Sequence, residues 1–303
     1  DVLQTTSQTV KGAINEVVGK IGGDMSLVYG DVKDAVVDIC YVDRSSSSLF
    51  NGSGWLYVAN GNTYVVTAAH VGQDYNATSS SVKSRYSNQI FCTILNYNNT
   101  GKNVTLPCVP IGADSRADIM VLVPYNGTSR ITHHKSLQFG NSRASGIGSD
   151  CLVVGYAKGF DSNSCSTGVI RDNKFVFVQG VETMFVSAPG VGGNSGGPII
   201  DKQRKVIGLF TFGWTNEETL GGGAAQFVLE PIVKKLIASG EAGLSNLSST
   251  IASLVNNTHT TYEYPKLSFN CTALTVRTSD IISIPNMQGV NPSIDRHGMI
   301  LSN

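Results

Sequence analysis

Charge is scarce in this sequence. Only 15% of its 303 residues are charged, and 22 basic residues balance 22 acidic ones. A chain without a basic excess lacks the electrostatic pattern of a nucleic-acid-binding protein, so we expect no nucleic-acid partner.

Long apolar runs are also missing. None approaches the roughly 20 residues of a membrane-spanning helix, so we expect no membrane span. No signal peptide is visible, and the chain starts at Asp1 rather than Met, so we expect that residues upstream have been removed.

Metal-binding cysteine patterns are absent as well. The chain has six widely spread cysteines, namely Cys40, Cys92, Cys108, Cys151, Cys165 and Cys271. No C-x-x-C pair occurs among them, which argues against a zinc site. An even count permits up to three disulfide bonds in an oxidising compartment. Cys92 with Cys108, and Cys151 with Cys165, each bracket a plausible hairpin and are the pairs we favour. Buried free thiols are the alternative.

Potential glycosylation sites are frequent. Eight N-x-S or N-x-T sequons occur, among them Asn76, Asn98, Asn103, Asn126, Asn246, Asn256 and Asn270. In a secreted protein such sequons are glycosylated in surface loops. They favour a glycoprotein in an exposed setting.

Periodicity divides the chain into three parts. In residues 1–30, Val10, Ile14, Val17 and Ile21 recur at helical spacing before Gly22-Gly23, which predicts a helix that could serve attachment or oligomerisation. In residues 31–240, short apolar runs such as GWLYVA, TYVVTAA and CLVVGYA alternate with turn residues, which predicts a mainly β sandwich or barrel. The run LEPIVKKLIAS predicts a helix over 230–239 with Pro231 in its first turn. A Ser-, Thr- and Asn-rich C-terminal extension follows at 241–303.

Three residues suited to nucleophilic catalysis occur at strand edges. His70 ends the run TAAH, Asp118 leads the run ADIMVL, and Ser195 lies in GVGGNSGGPII. A serine hydroxyl is a poor nucleophile until an imidazole takes its proton, and the imidazole needs a carboxylate to orient it. Asp114 competes with Asp118, but the context DSRAD is typical of a turn. The plainer alternatives are a strand-end histidine and a glycine-rich surface loop.

The glycines around Ser195 have a chemical interpretation. Each glycine inside regular structure costs roughly 0.5–1 kcal/mol relative to alanine, so five of them in eleven residues need a local reason. Acyl transfer converts a carbonyl oxygen into an oxyanion, which is stabilised by backbone N–H groups aimed at it. A tight turn without Cβ atoms could aim the amides of Gly193 and Ser195 in this way.

These blocks resemble the signature motifs of the chymotrypsin/trypsin-like serine peptidases, in the style of their HtrA-like and viral members. The matching segments are VVTAAHV, ADIMVL, GNSGGPII, NGSGWLYV and VIGLFTFG. The resemblance implies two six-stranded antiparallel β-barrels, at about 31–130 and 145–228, with a helix after the second. It implies His70 as general base, Asp118 as its orienting carboxylate, Ser195 as nucleophile, and Gly193 with Ser195 as oxyanion hole. Thr211, Phe212 and Gly213 would bind the substrate backbone, and the chemistry uses no metal or organic cofactor.

The specificity pocket lacks charge. Family members that cleave after Lys or Arg carry an acidic residue six positions before the nucleophile, where this chain has Pro189. Viral members that cleave after Gln or Glu carry a histidine on the strand after the serine, where this chain has Phe210. An unpaired charge in such a pocket would cost several kcal/mol, so we expect a small to medium apolar P1 residue.

A second resemblance concerns the N-terminal segment. LQTTSQTVKGAINEV is similar to a helical motif of phage tail-fibre and other virion proteins, whose helices often trimerise. An ordinary amphipathic helix is the alternative. Two functional hypotheses follow: a virus-encoded serine endopeptidase, virion-associated or extracellular, that acts on protein or peptide substrates, or an attachment protein that uses an inactive protease-like barrel as a scaffold. In both, residues 1–30 and the C-terminal extension could mediate self-association.

Overall fold

Six of the first seven strands form a closed barrel. The computed structural model describes residues 24–42, 49–72, 90–114, 116–132, 135–176, 181–214 and 217–245. Its first strands are β1 (Val36–Val42), β2 (Leu49–Ala59), β3 (Asn62–Thr67), β4 (Ile90–Ile94), β5 (Val104–Asp114), β6 (Ile119–Asn126) and β7 (Ser129–Arg130). They pair in the order β3-β2-β1-β4-β5-β6-β7, and β3 also pairs with β6. This last pairing closes an antiparallel ring of six strands, because it leaves β3 no free edge; β7 only extends β6.

Sequence pattern and turn chemistry specify this barrel. Asn60 and Gly61 link β2 to β3 with φ values of 50° and 76°, which is the positive-φ pair that a type I′ hairpin turn needs. Inward-facing side chains of the barrel form its apolar interior, which includes Val37, Ile39, Leu56, Val65, Ile90, Ile94, Met120 and Leu122. Alternate burial along β4 shows one face directed inward and the other toward solvent.

The second unit is an eight-stranded sheet. Its strands are β8 (Gln138–Phe139), β9 (Asp150–Gly155), β10 (Ser164–Val176), β11 (Glu182–Val186), β12 (Pro198–Asp201), β13 (Lys205–Leu209), β14 (Phe212–Trp214) and β15 (Glu217–Ala224). Their order is β14-β15-β11-β10-β9-β12-β13-β8. An isolated bridge between Gly208 and Ala225 brings β13 close to the end of β15. The predicted mainly β architecture is therefore confirmed, with a closed six-stranded antiparallel first barrel. The second unit, predicted as a six-stranded barrel, is an eight-stranded sheet whose strands pair antiparallel except for β13 with β8.

Two α-helices flank the sheets. Helix α1 (Met25–Val32) begins at Asp24, whose side chain accepts a hydrogen bond from the Ser26 amide, as N-cap residues do. Helix α2 (Gln226–Ser245) is longer than the predicted 230–239 and continues past residue 240. Pro231 is its sixth residue rather than a first-turn residue. Neither helix is long and apolar enough to cross a bilayer. The predicted helix over 10–21 and nearly all of the C-terminal extension lie outside the described residues.

An apolar cluster joins the two units. It combines side chains of the first barrel, of the second sheet and of α2, including Val66, Val121, Leu152, Val154, Ile200, Leu229 and Leu236. At its rim, the rings of Trp55 and Tyr57 on β2 contact Phe139 on β8, with centroids 5.3 and 5.1 Å apart. Because this cluster is continuous, the two units pack against each other around one shared apolar core.

The predicted disulfides are wrong. Cys40, Cys92, Cys108, Cys151 and Cys165 are all free thiols, and Cys271 lies outside the described residues. Cys151 pairs with Gly168 and Cys165 with Val154, so the two cysteines stand three positions apart and on opposite faces of the sheet. Cys92 and Cys108 lie diagonally across β4 and β5, and both are buried. Burial raises the pKa of the Cys151 thiol to about 12, as expected of an unreactive core cysteine.

Candidate active site

Barrel closure brings His70 and Asp118 together. His70 lies in the short turn Ala69–Gly72 directly after β3, and Asp118 directly precedes β6. Because β3 pairs with β6, with Thr67 opposite Met120, the end of one strand lies beside the start of the other. Two residues that are 48 positions apart in sequence are thereby neighbours at the rim of the barrel.

The Asp118 carboxylate contacts His70 at two points, one on the imidazole and one on the backbone. Its Oδ2 lies 2.6 Å from His70 Nδ1, and its Oδ1 accepts a hydrogen bond of 2.8 Å from the His70 backbone N–H. An ionised carboxylate only accepts, so Nδ1 carries the proton and Nε2 of a neutral ring is the basic nitrogen. His70 is 4% exposed and Asp118 7% exposed. The pair is shielded from water, which strengthens its electrostatic interaction.

Asp114 shapes the turn that presents Asp118. Its Oδ1 accepts hydrogen bonds from the backbone N–H groups of Arg116 (3.0 Å) and Ala117 (2.9 Å). Burial raises the pKa of the Asp114 carboxyl, and those backbone hydrogen bonds oppose the rise. Asp118 itself has a left-handed backbone with φ 55°, a conformation that Asp tolerates better than most residues. The structure thus places Asp114 at the turn before β6 and Asp118 in contact with the imidazole of His70.

The Ser195 loop is held against the end of β3. The Ser195 carbonyl accepts a hydrogen bond of 2.7 Å from the backbone N–H of Ser53 on β2. Gly196, with φ 87°, packs so closely that a Cβ there would collide with the Ser53 carbonyl and the Thr67 hydroxyl. The backbone of Phe210 binds the two residues after Ser195. Its carbonyl accepts a hydrogen bond from the Gly196 N–H, and its N–H donates one to the Gly197 carbonyl. Only glycine at 196 lets Ser195 approach the strand that leads to His70.

Hydrogen bonds hold the carbonyls of two peptide groups in this loop. The Gly192 carbonyl accepts from Lys158 N–H at 2.6 Å, and the Asn194 carbonyl accepts from Gly197 N–H at 3.0 Å. In a trans peptide the N–H points opposite to the C=O. The N–H groups of Gly193 and Ser195 are therefore directed away from these partners, as an oxyanion site requires. Gly193 has φ 98°, and a Cβ there would collide with the Tyr156 carbonyl.

The predicted substrate-binding residues lie around one aromatic side chain. Pro189 is exposed, and its carbonyl accepts from the Ser166 hydroxyl. Phe212 and Gly213 pair with Gly222 and Gly221 as an edge strand. The Thr211 N–H also donates to the Gly222 carbonyl, at 2.8 Å. The edge strand leaves a backbone edge beside the nucleophile loop.

Phe210 is the aromatic side chain at the centre. It is 2% exposed, and its ring packs against Gly190 on one side and Gly221 on the other. A Cβ at Gly190 would collide with the ring, and a Cβ at Gly221 would lie 2.6 Å from it. The two glycines leave only enough room for the ring.

Sequence reasoning missed the role of Ser53. The motif NGSGWLYV was recognised, but nothing in it indicated that this serine would contact the nucleophile loop 140 residues away. Only the register of β2 against that loop shows the contact. Within the described residues, no cluster of three or more His, Cys, Asp or Glu side chains could hold a metal ion.

Curated proteins similar to this chain are serine proteases of the HtrA type. The chain is 26% identical over 221 residues to the HtrA-like serine protease of Staphylococcus aureus (strain NCTC 8325 / PS 47). The aligned region covers 68% of this chain and 26% of that protein. It is 27% identical over 239 residues to the serine protease Do-like HtrA of Lactobacillus helveticus, which covers 68% of this chain and 52% of that protein. The chain thus spans about a quarter of the first relative and about half of the second.

Solved structures and a family model complete the comparison. The HtrA-type protease AlgW with a tripeptide superimposes with a TM-score of 0.57 at 18% identity, over 72% of this chain and 64% of that one. This similarity confirms the chymotrypsin-like fold. The model of the trypsin-like peptidase domain matches residues 52–209, just over half of the chain, and includes the segments of His70, Asp118 and Ser195. The chain therefore belongs to the trypsin-like peptidase family.

Proposed function

We propose that this protein is a serine endopeptidase with Ser195 as nucleophile, His70 as general base and Asp118 as the carboxylate that orients it. The observation that carries the proposal is the buried His70–Asp118 pair at the end of β3, with its 2.6 Å contact. Packing of Gly196 on that same strand end supports the assignment of Ser195. A structural barrel has no physical need for this combination.

The proposed reaction proceeds through an acyl-enzyme. Ser195 Oγ attacks the scissile carbonyl carbon while His70 Nε2 takes the hydroxyl proton, and Asp118 stabilises the resulting imidazolium. The carbonyl oxygen becomes an oxyanion between the N–H groups of Gly193 and Ser195. His70 then gives its proton to the leaving amine as the C–N bond breaks. Water, deprotonated by His70, attacks the ester and releases the acid product, which restores Ser195.

The proposed substrates are proteins or peptides with a small apolar P1 residue. Phe210 fills the space between Gly190 and Gly221, so a large side chain finds no room beside Ser195. Pro189 supplies no negative charge for Lys or Arg, and an unpaired buried cation costs several kcal/mol. The edge formed by Phe212 and Gly213 is suited to pair with an extended peptide backbone.

A fluorophosphonate probe tests the proposal directly. The probe should modify Ser195 in the native protein, and the Ser195→Ala and His70→Ala variants should not be labelled. A folded native protein that resists labelling and cleaves no member of a peptide library would favour the inactive-scaffold alternative instead.

We further propose that residues 1–30 and the C-terminal extension mediate self-association, and that the protein acts on a virion or outside the cell. The apolar stripe Val10, Ile14, Val17 and Ile21 and the frequent sequons support this. Light scattering should show a smaller particle when residues 1–23 are deleted. Equal particle sizes would refute a role of this segment in assembly.

A further inference from the structure

We propose that Ser53 is a positioning residue that holds the oxyanion loop in its active conformation. This inference rests on the proposed function. Ser53 lies on β2 of the first barrel and is fully buried. It is not part of the triad, and its side chain contacts the loop one residue away from the amides that would bind the oxyanion.

The hydroxyl of Ser53 joins three parts of the structure. It donates a hydrogen bond of 2.7 Å to the Gly193 carbonyl and accepts one of 2.8 Å from the Tyr156 N–H at the end of β9. Its backbone N–H donates to the Ser195 carbonyl at 2.7 Å. The Ser53 carbonyl accepts from the Thr67 hydroxyl at 2.6 Å. Every polar group of this buried serine is therefore engaged, which fixes its rotamer.

The contact to Gly193 controls the oxyanion amide. Gly193 has freedom about φ and ψ that other residues lack, so its orientation depends on the two peptides that flank it. Lys158 N–H holds the preceding peptide through the Gly192 carbonyl. Ser53 holds the following peptide through the Gly193 carbonyl. Without the hydroxyl, that peptide keeps the hydrogen bond from its Asn194 N–H to the Val191 carbonyl, at 3.1 Å, but loses the bond that holds its carbonyl. With its carbonyl released, the peptide can tilt, which changes the direction of the amides on both sides.

The surroundings are built around this hydroxyl. A Cβ at Gly155 would lie 2.7 Å from Ser53 Oγ, so glycine at the end of β9 leaves the space that the hydroxyl occupies. The interaction crosses between the two units, because Ser53 belongs to the first barrel and Tyr156 and Gly193 belong to the second. We infer that Ser53 sets the position of the loop relative to the barrel that carries His70.

The test compares Ser53→Ala with Ser142→Ala. Ser142 is also a fully buried serine, and its hydroxyl accepts from the Phe227 N–H at the start of α2, away from the cleft. Ser53→Ala should lower kcat about ten- to hundredfold, somewhat less than the loss of an entire oxyanion donor, with KM nearly unchanged. It should weaken a peptide aldehyde inhibitor, which forms an oxyanion, by a similar factor. Ser142→Ala should change neither value.

The Ser53→Cys variant distinguishes loss of the hydrogen bond from misfolding of the protein. A thiol is a weaker donor of similar shape, so this variant should melt near the Ser142→Ala variant and still lose kcat. The inference is overturned if folded Ser53→Ala or Ser53→Cys keeps kcat within twofold of the native value, or if only KM changes. A native protein that neither hydrolyses peptides nor reacts with fluorophosphonate would instead refute the proposed function.

Discussion

Two buried carboxylates four residues apart have different surroundings. Asp114 accepts hydrogen bonds from backbone N–H groups of its own turn, whereas Asp118 contacts the imidazole of His70. Asp118→Asn should lower kcat by about 10⁴-fold, because the amide no longer selects the required tautomer of the histidine. Asp114→Asn should retain most of the activity, since an amide oxygen can still accept both N–H groups. Steady-state kinetics on one peptide substrate check both expectations, and equal losses would contradict the assignment.

Asp114 also makes the stability of the fold depend on pH. Burial raises the pKa of its carboxyl above the usual 3.8, so the folded state holds this proton more tightly than the unfolded state. The stabilisation that results from this tighter proton binding is complete below pH 3.8 and is lost as pH rises through the folded-state pKa of Asp114. Urea unfolding from pH 3.5 to 7 should therefore show the native protein losing stability relative to Asp114→Asn as pH increases. A constant difference across this range would mean that burial does not perturb Asp114.

Phe210 gives a third prediction at this scale. Phe210→Val should open space between Gly190 and Gly221, and raise kcat/KM for a P1 Phe substrate relative to P1 Ala by roughly tenfold or more. Phe227→Val on α2, where the ring is 46% exposed, is the matched control and should leave the ratio unchanged. Fluorophosphonate titration corrects each preparation for its active fraction. An unchanged ratio in fully active Phe210→Val protein would show that the ring does not limit the pocket.

At the scale of elements, glycines decide how closely α2 approaches the first barrel. A Cβ at Gly240 would lie 2.5 Å from the Ile111 carbonyl on β5, and a Cβ at Gly112 would lie 2.9 Å from Leu236. The helix is also anchored by Glu241, which accepts from the Tyr64 hydroxyl at 2.7 Å and from Arg130. Burial, followed by the Glu241 contact, raises the pKa of Tyr64 to about 12.

Two glycine substitutions should therefore change the free energy of unfolding in opposite directions. Gly240→Ala should destabilise the protein by about 1–3 kcal/mol, because the helix must move away from β5. Gly30→Ala on α1 meets no atom within 4 Å and should stabilise it by about 0.5–1 kcal/mol through helix propensity. Chemical denaturation measures both. Unchanged or increased stability of Gly240→Ala would contradict the packing described for α2, and destabilisation by Gly30→Ala would contradict the open space described at α1.

Local sequence patterns predicted the secondary-structure elements better than they predicted which residues contact one another. Short β-branched runs that alternate with turn residues predicted strands, because pleat and turn chemistry act over a few residues. The pairing of Cys151 with Cys165 failed because it depends on register, which places them on opposite faces of the sheet. Motifs predicted His70 and Asp118, which the structure brings into contact, but the contact of Ser53 with Gly193 depends on tertiary packing across 140 residues.

At the scale of the whole molecule, the apolar cluster that joins the two units should make them unfold together. Trp55 is fully buried, and its ring meets Phe139 of the second unit edge to face at 5.3 Å. Neither unit can lose its structure without exposing apolar surface of the other. In a Trp214→Phe background, Trp55 fluorescence should follow the same urea transition as far-UV circular dichroism. Adding Phe139→Ala should lower both midpoints equally. If fluorescence changed at lower urea than circular dichroism, the first barrel would be an independent folding unit, and the cleft that holds His70 and Ser195 would open before the protein unfolds.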